Sequence, residues 1–364
     1  MIKTKDYKKF SIDLVKLFYR RRAPLRTMFE LTYRCNFKCI HCYNSNEQKE
    51  AKSQDELKTK EVFAILRQLK DLGGLYIGFT GGEIFLRQDI FDILWFAKRL
   101  GFQIILLTNS SFIDEKIADE LKRLAPNKVD ITVHALDKEI FDKITQVQGS
   151  GERVFRSIDL LYQRNVRLGL KSCGMQENKD ELVRVSQFAR SLNVLYRLDG
   201  EICPRLDRSK TPLKHLFSAE EAYHLRKLCY PEAFAKNDAK VMLRKTRKLR
   251  GRNLKRIFNC SVGYASVNIN PYGELNLCIM IDYPRYKILK GSLAEGWENL
   301  KDFVDGINPP KDWQCRTCSL LKYCSWCPAK GYLEDGNFFT CEQYSKQKAK
   351  FFKKIKQDNA TKPV

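Results

Sequence analysis

The stretch Leu31-Thr-Tyr-Arg-Cys-Asn-Phe-Lys-Cys-Ile-His-Cys-Tyr43 places three cysteines on one short loop: Cys35, Cys39 and Cys42. The loop follows a strand-like segment at residues 27–33. Three thiolates so spaced can hold three corners of an iron–sulfur cube and leave the fourth iron open to a small molecule. Two alternatives stay open. One is a structural zinc site, for which only His41 is nearby as a fourth ligand, and the other is ordinary buried cysteines.

Strand-like and helical segments alternate from this loop onward. The strand-like segments lie near 27–33, 75–80, 102–107, 129–135, 166–172 and 195–199. The helical segments lie near 57–72, 88–99, 114–124, 151–164, 179–192 and 218–229, and a capping box at Ser218-Ala-Glu-Glu221 opens the last of them. This alternation predicts an α/β fold with a parallel sheet and crossover helices. Six repeats suit a partial (β/α)6 barrel of the TIM type, whose reactive groups lie at the C-terminal ends of the strands.

Further motifs occur at those strand ends. Thr80-Gly81-Gly82-Glu83 closes the second strand, Thr108-Asn109-Ser110 closes the third, and Thr132 lies in the fourth. Glycines permit close backbone approach, and a carboxylate pairs with an ammonium group. Each motif also has an ordinary structural explanation, namely turn chemistry for Gly81, Gly82 and Asn109 and strand propensity for Thr132.

With these motifs in this order, the chain resembles the radical S-adenosylmethionine (radical SAM) enzymes. The resemblance implies that the Cys35, Cys39 and Cys42 cluster binds S-adenosylmethionine and that Gly81, Gly82 and Glu83 hold the methionine amino group of this cofactor. It further implies cofactor contacts for Asn109, Thr132 and Arg153, the last of which could equally lie on a solvated helix face. Ile84 stands where the family usually has proline.

A second group of cysteines fills the last third of the chain. Seven of the 13 cysteines belong to it: Cys260, Cys278, Cys315, Cys318, Cys324, Cys327 and Cys341. Their clustering and the lack of a secretory signal argue against disulfides. The spacing alone fits zinc ribbons as readily as iron–sulfur clusters.

The order of these cysteines resembles a SPASM domain, the C-terminal extension that carries auxiliary [4Fe–4S] clusters in one branch of radical SAM enzymes. By this resemblance, one cluster is held by Cys315, Cys318, Cys324 and Cys341. A second cluster is held by Cys260, Cys278 and Cys327. The fourth ligand of the second cluster is not identified, because Arg256-Ile-Phe-Asn259 lacks the cysteine that some relatives have there.

The chain is strongly basic, with 66 Lys and Arg against 43 Asp and Glu and a formal net charge of +23. The densest basic run lies between Lys236 and Arg256. Such a run could attract an acidic peptide or nucleic acid, or it could be a solvated linker. Its near lack of aromatic residues argues against stacking on single-stranded nucleic acid. No segment has the roughly 18 apolar residues of a membrane span, so a cytoplasmic location is expected.

The expected domain organisation has five parts. These are a basic amphipathic N-terminal extension at 1–26, the radical SAM barrel at 27–230, a basic linker at 231–258, the SPASM auxiliary-cluster domain at 259–345 and a basic tail at 346–364. The predicted fold class is therefore a partial (β/α)6 barrel followed by a small cysteine-rich iron–sulfur domain.

The resemblance implies an oxidoreductase that cleaves S-adenosylmethionine reductively to a 5′-deoxyadenosyl radical, which abstracts hydrogen from a substrate. A ribosomal peptide or protein is the favoured substrate, and a flavodoxin or ferredoxin is the expected electron donor. The alternatives are a tetrapyrrole side-chain decarboxylase of haem synthesis, a sulfatase-type maturase and a non-enzymatic zinc or nucleic-acid-binding protein. Sulfatase maturases place an aspartate directly after the cysteine that is equivalent to Cys278. This chain has Ile279 at that position. No catalytic base is identified.

Overall fold

The computed structural model describes residues 4–45, 53–235 and 256–360. The predicted basic run at 236–255 lies outside these residues. Among the helices of the described ranges, none is both long enough and apolar enough to cross a membrane.

Six parallel strands form the first part of the sheet, as the alternating pattern predicts. They are β1 Arg26–Thr32, β2 Tyr76–Gly81, β3 Gln103–Thr108, β4 Lys128–Thr132, β5 Leu168–Cys173 and β6 Leu195–Asp199. The strands lie in the order β6-β5-β4-β3-β2-β1, and each pairs in parallel with its neighbour. Because β6 and β1 lie at opposite ends of this series, the barrel is open, and the predicted partial (β/α)6 barrel is confirmed.

Amphipathic helices connect the strands and cover one face of the sheet. They are α2 Thr59–Asp71, α3 Ile90–Arg99, α4 Glu115–Leu124, α5 Lys138–Thr145, α6 Ser150–Gln163, α7 Glu181–Ser191 and α8 Ala219–Cys229, preceded by α1 Thr4–Arg21. In α2 the buried residues Val62, Ile65, Leu66 and Leu69 recur at helical spacing. The predicted capping box is present, since Ser218 Oγ accepts a hydrogen bond from Glu221 N at 3.1 Å and Ser218 N donates to Glu221 Oε2 at 2.9 Å. The sequence pattern misses α5, which precedes α6 in the same crossover.

The two faces of β1 differ in chemistry. Phe29 and Leu31 point into the apolar core beneath the helices and are fully buried. Met28 and Glu30 lie on the opposite face, which is the interior of the open barrel, because side chains alternate along a strand. A glutamate on this face of a central strand is costly to bury unless it is hydrogen-bonded or neutral.

The sheet continues beyond β1 into the cysteine-rich region. The short strand β7 Ser266–Ile269 pairs in parallel with the free edge of β1, and β8 Glu274–Asn276 and β9 Tyr286–Lys287 follow in antiparallel pairing. The whole sheet therefore has nine strands. The remaining helices are α9 Pro231–Ala235, α10 Leu293–Gly306, α11 Pro328–Asp335 and α12 Gln343–Ala360. The barrel and the cysteine-rich region thus share one sheet.

The last turn of α1 packs on the start of the cysteine-rich region. The Tyr19 ring stacks on the Tyr264 ring with centroids 5.6 Å apart. Arg22, just after the helix, lies over the same ring and donates a hydrogen bond to Gly263 O at 3.0 Å. In addition, Trp297 Nε1 donates to Arg22 O at 2.7 Å. The N-terminal extension therefore contacts the second region directly.

Candidate active site at the C-terminal ends of the strands

The first three cysteines lie on the loop that leaves β1. Cys35, Cys39 and Cys42 are partly buried, and none of them forms a disulfide. The loop is tightly turned, since Cys42 N donates a hydrogen bond to Cys39 O at 3.1 Å and Phe37 N donates to Cys35 Sγ at 3.4 Å. The sequence thus yields three thiols on a short, folded loop, as a cubane cluster with one open iron requires.

The last turn of α5 holds this loop in place. Lys38 N donates to Thr145 O at 2.9 Å, and Ile40 N donates to Ile144 O at 3.1 Å. These two bonds run through the residues between the first and last cysteine. The helix that the sequence pattern misses is therefore the backbone support of the cysteine loop.

Gly81 and Gly82 pack against the same loop. A Cβ atom at Gly81 would lie 2.0 Å from Thr32 O, and one at Gly82 would lie 2.1 Å from Arg34 O. Gly82 N also donates a hydrogen bond to Thr32 O at 2.6 Å, and Gly81 has a φ of +141°. The glycines are needed so that the ends of β1 and β2 can meet, and their predicted contact with the cofactor stays a prediction.

The Glu83 carboxylate is fully buried and points toward the end of β3. It accepts hydrogen bonds from Thr108 Oγ1 at 2.7 Å, from Asn109 N at 2.7 Å and from Phe85 N at 3.1 Å. Burial raises the pKa of this carboxyl, while the bonds from Thr108, Phe85 and Asn109 act in the opposite direction. Glu83 therefore ties β2 to β3, and its predicted contact with a cofactor ammonium group stays a prediction.

The Asn109 side chain reaches the cysteine loop. Its Nδ2 donates to Asn36 Oδ1 at 2.9 Å and lies 3.7 Å from Cys35 Sγ. Cys35, Glu83 and Asn109 thus come together at the ends of three neighbouring strands, although they are far apart in sequence.

Thr132 and Arg153 lie at the same end of the sheet but form no part of that hydrogen-bonded set. Thr132 is the last residue of β4 and is paired with Lys171 of β5. Arg153 lies in the first turn of α6, is exposed, and donates to Gln148 O at 3.3 Å. Their predicted contacts with the cofactor stay predictions.

The C-terminal cysteines form no disulfides and are distributed over turns and helix starts. Cys315 and Cys324 are buried, Cys278, Cys327 and Cys341 are partly buried, and Cys260 and Cys318 are exposed. Burial raises the pKa of Cys278, and nearby Cys327 and Cys260 raise it further. Burial also raises the pKa of Cys341, where Lys346 opposes the rise and Cys318 adds to it. The division of these cysteines into two sets of cluster ligands stays a prediction.

The cysteines of the described residues are not arranged as a binding site for a single metal ion. Within the described ranges, no three His, Cys, Asp or Glu side chains are placed to hold one metal ion. Three cysteine thiols, the donor set for an iron–sulfur cluster, are nevertheless present on the first loop, and the Asn109 amide donor lies near Cys35.

Burial raises the pKa of Glu30 to about 7, even though hydrogen bonds from Asn268, Tyr43 and Tyr33 act in the opposite direction. Its carboxylate accepts from Asn268 Nδ2 at 2.9 Å and from Tyr43 OH at 3.3 Å. Tyr43 directly follows Cys42, and Asn268 lies on β7. Sequence analysis misses Glu30, although an acid in an otherwise apolar strand is a usable signal.

A second charge cluster joins the barrel to the C-terminal helices. Glu201, just after β6, forms ion pairs with Lys330 of α11 and Lys348 of α12. Although burial acts in the opposite direction, Lys330 and Lys348 lower the pKa of Glu201 to about 2. This cluster fixes the segment after β6 beside Cys327, which caps the N-terminus of α11.

The fold and site define an open parallel barrel with a three-cysteine loop at the C-terminal end of its first strand. Residues 29–189 match the Radical SAM superfamily. These residues therefore form a radical SAM domain, and members of that superfamily bind a [4Fe–4S] cluster and S-adenosylmethionine. The C-terminal region that follows is rich in cysteine.

Two curated relatives differ in what their names describe. The chain is 21% identical over 341 residues to the AdoMet-dependent heme synthase of Methanosarcina barkeri, covering 88% of this chain and 96% of that protein. It is 26% identical over 318 residues to AlbA, an antilisterial bacteriocin subtilosin biosynthesis protein of Bacillus subtilis, covering 85% of this chain and 66% of that protein.

Solved structures share the fold. SuiB of Streptococcus suis bound to S-adenosylmethionine superposes with a TM-score of 0.68 at 15% identity, covering 94% of this chain and 80% of that one. SuiB has also been solved bound to its precursor peptide SuiA, with a TM-score of 0.66 at 16% identity, over 95% of this chain and 82% of that one.

Proposed function

We propose that the protein is a peptide-modifying radical SAM enzyme with Cys35, Cys39 and Cys42 as the ligands of its S-adenosylmethionine-binding cluster. The observation that carries the proposal is the meeting of this loop with Glu83 and Asn109 at the strand ends. When bound, the cluster and S-adenosylmethionine supply one-electron reductive cleavage and a 5′-deoxyadenosyl radical that abstracts hydrogen from the substrate.

The chain's own residues hold and shield this chemistry. The carbonyl oxygens of Thr145 and Ile144 accept hydrogen bonds from the cysteine loop and fix it. Gly81 and Gly82 let β2 close against the loop. Asn109 places an amide donor beside Cys35, a contact of the kind that tunes the potential of an iron–sulfur centre. Glu83 orients Asn109 through its backbone amide.

The C-terminal cysteines are proposed to hold two auxiliary clusters. One would use Cys315, Cys318, Cys324 and Cys341. The other would use Cys260, Cys278 and Cys327, whose mutual effect on the pKa of Cys278 supports their grouping. The predicted domain boundaries stay proposals, with the shared sheet holding the second cluster region beside β1.

A peptide or protein substrate is supported by the resemblance to AlbA and by the fold shared with SuiB, which was solved with its precursor peptide. The competing candidate is a tetrapyrrole, and the match to a heme synthase over 96% of that protein's length favours it. A flavodoxin or ferredoxin remains the proposed electron donor.

The experiment that tests the function has two arms, one by co-expression and one with anaerobically reconstituted enzyme. In the first, the enzyme is co-expressed with each short open reading frame beside its gene, and the peptides are weighed by mass spectrometry. We expect a loss of about 2 Da per crosslink that disappears in Cys42→Ala, since oxidative crosslinking removes two hydrogens. In the second, iron-coproporphyrin III is the substrate, and loss of carbon dioxide without any peptide change would replace the peptide assignment.

A further inference from the structure

A cavity of about 280 Å³ lies between the barrel interior and the cysteine-rich region. Glu30 and Tyr33 line it from the barrel side, and Asn268 and Cys278 line it from the other. Leu206 also lines the cavity, and its backbone N–H donates to Tyr43 O at 2.8 Å beside the first cysteine loop. The cavity therefore lies between the two proposed cluster regions.

The lining of this cavity is rich in hydrogen-bond acceptors. Glu30 is 1% exposed and offers a carboxylate. Asn268, also 1% exposed, donates its Nδ2 to Glu30, which fixes the amide orientation and leaves Asn268 Oδ1 buried with no hydrogen-bond partner. A buried acceptor without a donor costs about 1–3 kcal/mol, so this oxygen points to a ligand that brings an N–H group.

The charges of the lining have one predominant sign. Four carboxylates contribute to it: Glu30, Asp207, Glu274 and Asp282. Arg285 is the one basic residue among the lining residues, and it is already engaged, since its Nη2 lies 2.7 Å from Asp282 Oδ2 and its Nη1 lies 3.7 Å from Glu274 Oε2. An incoming cation would find carboxylates, whereas an incoming carboxylate would meet like charge.

We propose that this cavity binds a cationic side chain, lysine or arginine, of the peptide substrate. The inference rests on the proposed function and narrows it to a peptide with a basic residue near the reacting one. Glu30 supplies the buried counter-charge, and Asn268 Oδ1 accepts one N–H of the bound ammonium or guanidinium group. A tetrapyrrole is disfavoured at this position, because its carboxylates would face the four acids.

The cavity has room for one side chain. Its volume of about 280 Å³ lies at the lower end of the range for pockets that enclose small ligands, about 300–1,000 Å³. A side chain held here would place the neighbouring peptide backbone between Tyr43, next to the first cysteine loop, and Cys278. The cavity would thus set which residue of the peptide reaches the barrel interior.

The test is peptide binding to the anaerobically reconstituted full-length enzyme, by titration calorimetry with S-adenosylmethionine saturating in every arm. The probes are terminally blocked pentapeptides of glycine with lysine, arginine, norleucine or glutamate at the centre. A norleucine peptide with a free N-terminus distinguishes a terminal amine from a side chain. We expect the lysine and arginine peptides to bind about tenfold more tightly than blocked norleucine, as one charge-assisted hydrogen-bond set allows.

Three variants test whether this cavity causes the tighter binding of the lysine and arginine peptides. Glu30→Gln should abolish that preference, and Asp207→Asn at the exposed rim should reduce it about twofold to fivefold, because the attraction is weaker. Glu298→Gln, on the exposed side of α10, should retain the preference. If Glu30→Gln fails to fold or to take up iron, Asp207→Asn decides. A preference unaffected by Glu30→Gln and Asp207→Asn, equal binding of all blocked peptides, or Glu30-dependent binding of the free N-terminus alone would overturn the proposal.

Release of 5′-deoxyadenosine with dithionite, measured on the same preparations, separates this inference from the proposed function. Normal release without a cation preference would contradict the cavity assignment alone. No release from protein with its full iron content would contradict the radical SAM function, whichever peptide binds.

Discussion

Asn109 Nδ2 lies 3.7 Å from Cys35 Sγ, although the two residues belong to loops after different strands. The contact links the third strand to the ligand set of the first. An amide donor at a cluster sulfur stabilises the reduced, more negative state, so its removal should make the cluster harder to reduce.

Asn109→Ala should therefore lower the reduction potential of the S-adenosylmethionine-binding cluster and slow 5′-deoxyadenosine release by about 10-fold or more, the usual cost of losing a supporting partner of a metal ligand. The potential is measured by redox titration followed by EPR. The matched control is Asn127→Ala, at the other end of the sheet just before β4, which should leave the potential unchanged. Equal potentials in wild type and Asn109→Ala would contradict the assigned contact.

The iron content should follow the three cysteine sets. We expect about twelve irons per reconstituted chain, four for each cubane cluster. Changing Cys35, Cys39 and Cys42 together to alanine should remove about four and leave the auxiliary signals in the Mössbauer spectrum. Cys229→Ala, which alters a buried thiol between α7 and α8, is the control and should keep all twelve. Full iron in the triple variant would refute the ligand assignment.

Gly82→Ala should disrupt the cysteine loop, because the new Cβ would lie 2.1 Å from Arg34 O and 2.5 Å from Tyr33 O. Backbone atoms cannot yield at such distances without moving the loop. We expect a loss of at least about 3 kcal/mol in the free energy of unfolding together with reduced iron uptake. Gly306→Ala, where no atom lies within 4 Å, should instead stabilise the protein by about 0.5–1 kcal/mol. Similar stabilities for the two variants would show that Gly82 is not sterically required.

The local parts of the site could be predicted from the sequence, and the non-local parts could not. The cysteine loop and the Gly81-Gly82-Glu83 motif are contiguous, and their positions at strand ends follow from periodicity. The direction of the Glu83 carboxylate depends on Thr108 and Asn109, which come near only when β2 and β3 pair. Sequence spacing carries no such information, so the hydrogen bonds by which Glu83 joins β2 to β3 could not be predicted from it.

The pairing of β7 with β1 is likewise a tertiary effect. Ser266–Ile269 is a strand of only four residues, too short for a clear alternating pattern, and its partner β1 lies more than two hundred residues earlier in the chain. This pairing brings Asn268 to Glu30, and it creates the polar cavity beside Cys278. No sequence motif marks the residues of the cavity, because they come together only when β7 pairs with β1.

The pH dependence of stability should reveal Glu30. Its pKa is raised by burial from 4.5 to about 7 in the native state, so between these two values the folded protein binds more protons than the unfolded chain. Stability must then fall as pH rises through this window. Glu30→Gln removes the titration and keeps the shape of the side chain. From pH 5 to pH 8, the stability of this variant should gain up to about 3 kcal/mol relative to wild type.

The measurement is anaerobic denaturant unfolding of both proteins at pH 5, 6, 7 and 8, with Glu298→Gln as the exposed control. Parallel pH profiles for wild type and Glu30→Gln would mean that Glu30 titrates near its ordinary value, and the buried counter-charge of the cavity would then be misassigned. A divergence that begins above pH 5 and levels off near pH 8 would place an ionisable carboxyl at the junction of β1 and β7. A lysine-containing peptide should shrink that divergence, because a bound cation stabilises the charged form of Glu30 and lowers its pKa.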